Sequence, residues 1–187
     1  MLHKIPCSFT ILLIHICCIT EHYAQVLDLH PSIVDFDIPE IAMLSVVPHN
    51  QTVQLRIDRS TNAGKGYATS YTNNDKWINF SSTLTEGGSL RSIFVQIIQG
   101  APPSGTSVQL NVSEYQGIGD GILGNSLPPI ILSKIPQPII NNIGGGYTGT
   151  DISNGFQLHY ELLIDNYDLL NYEDSTSLNI TYTLVDQ

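Results

Sequence analysis

Four segments of this chain alternate apolar and polar residues with a period of two, and that pattern suits a half-buried β-strand and little else. In Thr52-Val53-Gln54-Leu55-Arg56-Ile57-Asp58, the residues Val53, Leu55 and Ile57 share one face and the polar residues the other. The pattern returns in Ser107 to Ser113, in Phe156 to Leu162 extended by Ile164, and in Leu178 to Leu184. Each strand is thereby given one dry face and one wet face, as in antiparallel sheets. The parity places Leu110, Leu158 and Tyr160 in the core and turns His159 outward.

Two more segments, Ile41 to Val47 and Ile93 to Ile98, are apolar on both faces and read as strands in the middle of a sheet or covered by a neighbour. Trp77 to Ser81, Ile130 to Leu132 and Pro138 to Ile143 are shorter strand candidates. The intervening stretches Asn62 to Gly66, Thr85 to Gly88, Gly100 to Gly105 and Asn141 to Gly146 are rich in Gly, Pro and Asn and read as turns. No window carries sustained helical periodicity with caps, and Asp165 to Asp174, the best helix candidate, is short and Asn/Asp-rich and reads as a loop. The expected fold is all-β: an antiparallel β-sandwich of about seven to nine strands with Greek-key connections, immunoglobulin-like in plan.

The N-terminus has a different character. Lys4 supplies a short basic region and Phe9 to Ile19 an apolar run too short to span a bilayer. The small Ala24 places a cut between Ala24 and Gln25. Residues 1–24 are therefore expected to be a secretory signal peptide and residues 25–187 a single domain. A lipid anchor on Cys17 or Cys18 would need a small residue just before the cysteine and a Leu three before it, and neither has that setting. All three cysteines, Cys7, Cys17 and Cys18, fall in the leader, so the mature chain must be held together by its core without disulfides. This leans toward a bacterial source. Cleavage removes Lys4 and Glu21 and leaves 16 acidic and 6 basic residues, with the net charge unchanged at −10. Such a surface repels phosphate backbones and anionic headgroups, which speaks against nucleic-acid and membrane-surface partners. No later run of apolar residues is long enough for a membrane helix, and the strands are mostly too short for an outer-membrane barrel.

Chemical motifs are sparse. Gly119-Asp120-Gly121-Ile122-Leu123-Gly124 satisfies G-x-G-x-x-G, yet Pro128 and Pro129 arrive too soon for the helix whose N-terminus would hold a pyrophosphate, so it reads as a glycine-rich loop between strands. The mature chain has no Cys and no G-x-S-x-G elbow to supply a nucleophile. Its histidines, His30, His49 and His159, lie far apart in sequence, and Asp165, Asp168, Glu173 and Asp174 do not follow a Ca²⁺-loop pattern. No catalytic residue, metal or cofactor is expected, and the chain reads as a non-enzyme.

A binding reading starts from Gly66 to Phe80, which interleaves aromatics with amides, a mixture on which sugar rings stack. If Ile78 and Phe80 point inward, Trp77 and Asn79 point outward; the competing arrangement has Trp77 plugging one end of the core. Tyr67, Tyr71 and Trp77 are the candidates here, with Tyr147 in Gly146 to Gly149 as a fourth. N-x-[ST] sequons stand at Asn50, Asn79, Asn111 and Asn179, with Asn111 and Asn179 on outward strand faces. After the cut, Val26 to Ile33 carries Leu27, Leu29 and Ile33 on one face of an extended strand, and Pro31 suits it to an edge. It can serve as the domain's own first strand or insert into the edge of a neighbouring copy.

The succession Ile38 to Leu44, Trp77 to Ser82, Gly100 to Thr106, Tyr147 to Gly149, Leu158 to Tyr160 and Asn179 to Leu184 resembles short exported β-sandwich proteins of Gram-negative bacteria. It is similar in plan to spore-coat-U and chaperone–usher pilin-type proteins. The chain departs from the pilin pattern in lacking the cysteine pair and in having Asp186 as penultimate residue. The resemblance implies a secreted, periplasmic or cell-surface structural subunit whose partners are copies of itself or other surface subunits. A carbohydrate-binding or adhesive module, with glycans as partners, is the alternative.

Overall fold

The computed structural model describes residues 34–57, 60–67, 70–171 and 176–187. Among the described residues nine strands run in chain order: β1 (Ala42–Val47), β2 (Ser70–Ser82), β3 (Arg91–Gln99), β4 (Thr106–Gln116), β5 (Asp120–Ser126), β6 (Ile130–Ile131), β7 (Gln137–Tyr147), β8 (Gly155–Ile164) and β9 (Asn179–Asp186). A 3₁₀ turn, Tyr167–Leu169, follows β8 and is capped by the Asn166 side chain, which accepts the Asp168 N–H. Every strand pairing is antiparallel, so the fold is all-β as the alternation predicts.

The strands form one hydrogen-bonded network in the order β6-β4-β8-β2-β7-β3-β9, with β1 on β2 and β5 on β7. The long β2 joins the two arms: its first part pairs β8, and Ser81 and Ser82 pair β7. A second link lies just past β6, where the Leu132 N–H donates to the Val108 carbonyl and Ser133 O accepts the Ile97 N–H, both at 2.8 Å. One cluster of buried side chains draws on both arms. Val108, Leu110, Val112, Phe156, Leu158, Tyr160 and Leu162 come from β4 and β8, and Ile93, Val95, Ile97, Ile139, Ile140 and Ile143 from β3 and β7. Across it the hydroxyls of Tyr160 on β8 and Tyr182 on β9 hydrogen bond.

Three expectations are corrected. Asn141 to Gly146 and Gly119 to Gly124 are not loops: they lie almost wholly within β7 and β5, which pair with Gly121 opposite Gly146. The glycines permit that approach, because a Cβ on Gly121, at φ +100°, would stand 2.3 Å from the Gly145 carbonyl oxygen. Within Thr52 to Asp58, the described residues 52–57 join no ladder, although Val53, Leu55 and Ile57 do pack against the core. Ile41 to Val47 is not central, since β1 pairs only with β2 among the described residues; Leu44 and Val46 pack on the core and Val47 is buried, but Met43 on the other face is exposed.

Candidate functional site

The aromatic candidates do not form one platform. Ile78 and Phe80 point into the core cluster, which does not include Trp77, yet Trp77 is only 8% exposed, so its ring offers no face to a ligand. Its β2 neighbours Lys76, Ile78, Asn79 and Phe80 are buried with it, so both faces of this stretch are covered. Tyr71 and Tyr147 are exposed at opposite ends of the β2 ladder, opposite Leu162 and Ser81 respectively. Tyr67 is exposed in the loop before β2 and lies nearly parallel to Tyr167, with ring centroids 6.0 Å apart at 19° and the Tyr67 N–H donated to the Tyr167 hydroxyl. Sequence reasoning missed Tyr167. Its separation from Tyr67 along the chain leaves no local pattern to read.

The assembly candidates Leu27, Leu29 and Ile33 lie outside the described residues. Directly after them, Val34, Phe36 and Ile38 are 64%, 88% and 82% exposed, alternating with Asp35 and Asp37. None of Val34 to Ile38 joins a ladder.

The edge strand β9 pairs with β3 alone among the described residues. The Gln187 N–H donates to the Leu90 carbonyl at 2.9 Å, which fixes the phase of the ladder. Antiparallel hydrogen bonds alternate, so Thr181, Thr183 and Val185 turn their backbone groups toward β3, and Ile180, Tyr182 and Leu184 turn theirs away. On the outer face, Phe94, Gln96, Pro136, Thr183 and Val185 line a shallow groove of about 330 Å³.

Where β1, β2, β3 and β9 meet, Arg91 is buried and all three of its guanidinium nitrogens hydrogen bond. It donates to Asp186 Oδ1 and to the Ile41 carbonyl at 2.7 Å, to Ser82 Oγ and the Thr83 carbonyl at 3.1 Å, and to Glu40. This is a clamp, with Nε, Nη1 and Nη2 each donating to acceptors of the protein itself. The Tyr160–Tyr182 pair is likewise internal. Burial pushes the Tyr160 hydroxyl up to about 12 and drives Tyr182 well above its ordinary value, the Tyr160 hydroxyl adding to the rise.

Among the described residues no three His, Cys, Asp or Glu side chains gather as metal ligands, and no helix is long and apolar enough to cross a membrane. No protein-family model, curated protein or solved structure matches this chain.

Proposed function

We propose that this chain is an exported structural subunit of a surface assembly, fimbrial or coat-like, and not an enzyme. The observation that carries this reading is the segment Val34 to Ile38. Three large apolar side chains at a period of two stand in solvent, without a ladder, immediately before the first strand. A strand with one apolar face lowers its free energy by adding to a sheet edge, where main-chain hydrogen bonds supply affinity and pockets take the alternate side chains. The test is light scattering over a range of concentrations, comparing a chain that begins at Gln25 with one that begins at Pro39. Oligomers formed by the first and lost in the second, the second remaining folded, are the expected result; two monomers at every concentration would refute the reading.

The Tyr67–Tyr167 pair favours a second reading, a glycan-binding module. Two exposed rings held nearly parallel offer apolar surface of the kind sugar rings stack on. Binding on a glycan array that Tyr167→Ala abolishes and Tyr147→Ala leaves intact would move the assignment to this class.

A further inference from the structure

The four N-x-[ST] sequons are not equivalent once the chain is folded. Asn50 is exposed after β1, Asn111 faces solvent from β4, and Asn179 is exposed at the start of β9 with its amide on the Gln99 side chain at 2.8 Å. A sugar on any of these stands in water.

Asn79 is the exception. It lies on β2 and is 6% exposed. Its Nδ2 is the hub of the loop that joins β7 to β8, donating to the carbonyls of Gly149 and Asp151 at 3.2 Å each and to that of Asn154. The loop fits closely: a Cβ on Gly155 would lie 2.1 Å from the Ile78 carbonyl oxygen and 3.2 Å from Asn79 Nδ2. Beside it, Thr148 is fully buried and its Oγ1 accepts the Phe80 N–H at 2.9 Å.

N-glycosylation acts on this same nitrogen. The bond from the sugar's anomeric carbon to a lipid diphosphate breaks, a C–N bond to Nδ2 forms, and one Nδ2 proton leaves to a base. The product keeps a single N–H and carries a bulky polar substituent where three carbonyls converge. Transfer acts on accessible, extended chain, so it reaches Asn79-Phe80-Ser81 before β2 is buried, and the modified strand then has no place for its sugar.

We infer that a glycan at Asn79 is incompatible with this fold, and that the chain is accordingly made for export across a membrane whose machinery does not attach N-linked glycans. The inference rests on the export reading and narrows the compartment; the mass of the exported chain's N-terminus tests export separately. The experiment is expression of the full chain through the secretory pathway of an N-glycosylating host, beside Ser81→Ala, which destroys the sequon and leaves the Asn79 amide in place. Equal thermal stability of the two unglycosylated proteins is established first. The expected result is wild-type chain retained in the cell with a glycan on Asn79, and Ser81→Ala secreted in several-fold higher yield, with glycans confined to Asn50, Asn111 and Asn179. Asn79→Gln does not restore secretion, because the extra methylene moves the amide away from the three carbonyls even as the sugar is lost. Folded wild-type protein in the medium, with Asn79 modified or skipped, overturns the inference. Failure of both wild-type and Ser81→Ala overturns it too, since Asn79 would then not be the residue that decides.

Discussion

At the scale of single residues, strand parity predicts the core and the structure agrees: Leu110, Leu158 and Tyr160 are buried. Leu110→Ala and Leu158→Ala should each cost about 2 to 5 kcal/mol in urea unfolding, the usual range for truncating a buried Leu. The Tyr160–Tyr182 pair gives the core a pH dependence. Both hydroxyls stay protonated in the fold above their ordinary value of 10.0, whereas in the unfolded chain they ionise near it. The folded state therefore holds more protons above pH 10, and stability that is intact below that pH falls as pH rises, by about 1.4 kcal/mol per unit for each group. The Tyr160 contribution levels off near pH 12. The double variant Tyr160→Phe/Tyr182→Phe, which removes both partners together, should be nearly neutral at pH 7 and show a flatter decline in urea midpoint between pH 10 and 12. The burial of Trp77 and Asn79 was not legible in the same way. Parity assigns them to the face opposite the core, and Asn79 is covered by a loop more than 70 residues away.

At the scale of elements, three of the four alternating segments form strands: Ser107 to Ser113 lies in β4, Phe156 to Leu162 in β8, and most of Leu178 to Leu184 in β9. Glycine hides the β5–β7 ribbon, because the residue that marks a turn in sequence here admits close backbone approach. Gly121→Ala therefore meets both an unfavourable φ, costing roughly 1 to 2 kcal/mol, and a carbonyl oxygen. Gly64→Ala, at φ +82° with nothing within 4 Å, meets the φ cost alone. The difference in melting temperature between these variants measures the packing of the ribbon. Thr52 to Ile57 errs in the other direction: alternation reports that one face is dry, and the segment satisfies that by lying on the core without a ladder. Arg91 ties β1, β2, β3 and β9 through side-chain and backbone acceptors that no local pattern brings together. Hydrogen bonds to charged groups contribute about 1.5 to 3 kcal/mol, so Arg91→Met should cost at least that much by chemical denaturation. Glu40→Gln and Asp186→Asn should each cost under about 1 kcal/mol, because their side chains are 53% and 67% exposed and water screens the pair.

At the scale of the whole molecule, the sequence that codes an unpartnered apolar stripe at Val34 to Ile38 also codes a net charge of −10, and the two act against each other in any assembly of like copies. The stripe carries its own share of that charge, since Asp35 and Asp37 separate the apolar residues. Bringing it onto a second acidic chain costs Coulomb energy that falls as ions screen it, over about 30 Å at 0.01 M salt and about 3 Å at 1 M. Hydrophobic burial has the opposite response, strengthening in salts excluded from protein surfaces. Both effects drive association the same way. Light scattering from the chain beginning at Gln25 should therefore show the onset of oligomers moving to lower protein concentration as salt rises, and further in sulfate than in chloride at equal ionic strength. Asp35→Asn/Asp37→Asn should shift that onset in the same direction at low salt and lose its effect at high salt. Oligomers that dissolve on adding salt would mean that ion pairs hold the copies together, and the apolar stripe would not be the contact.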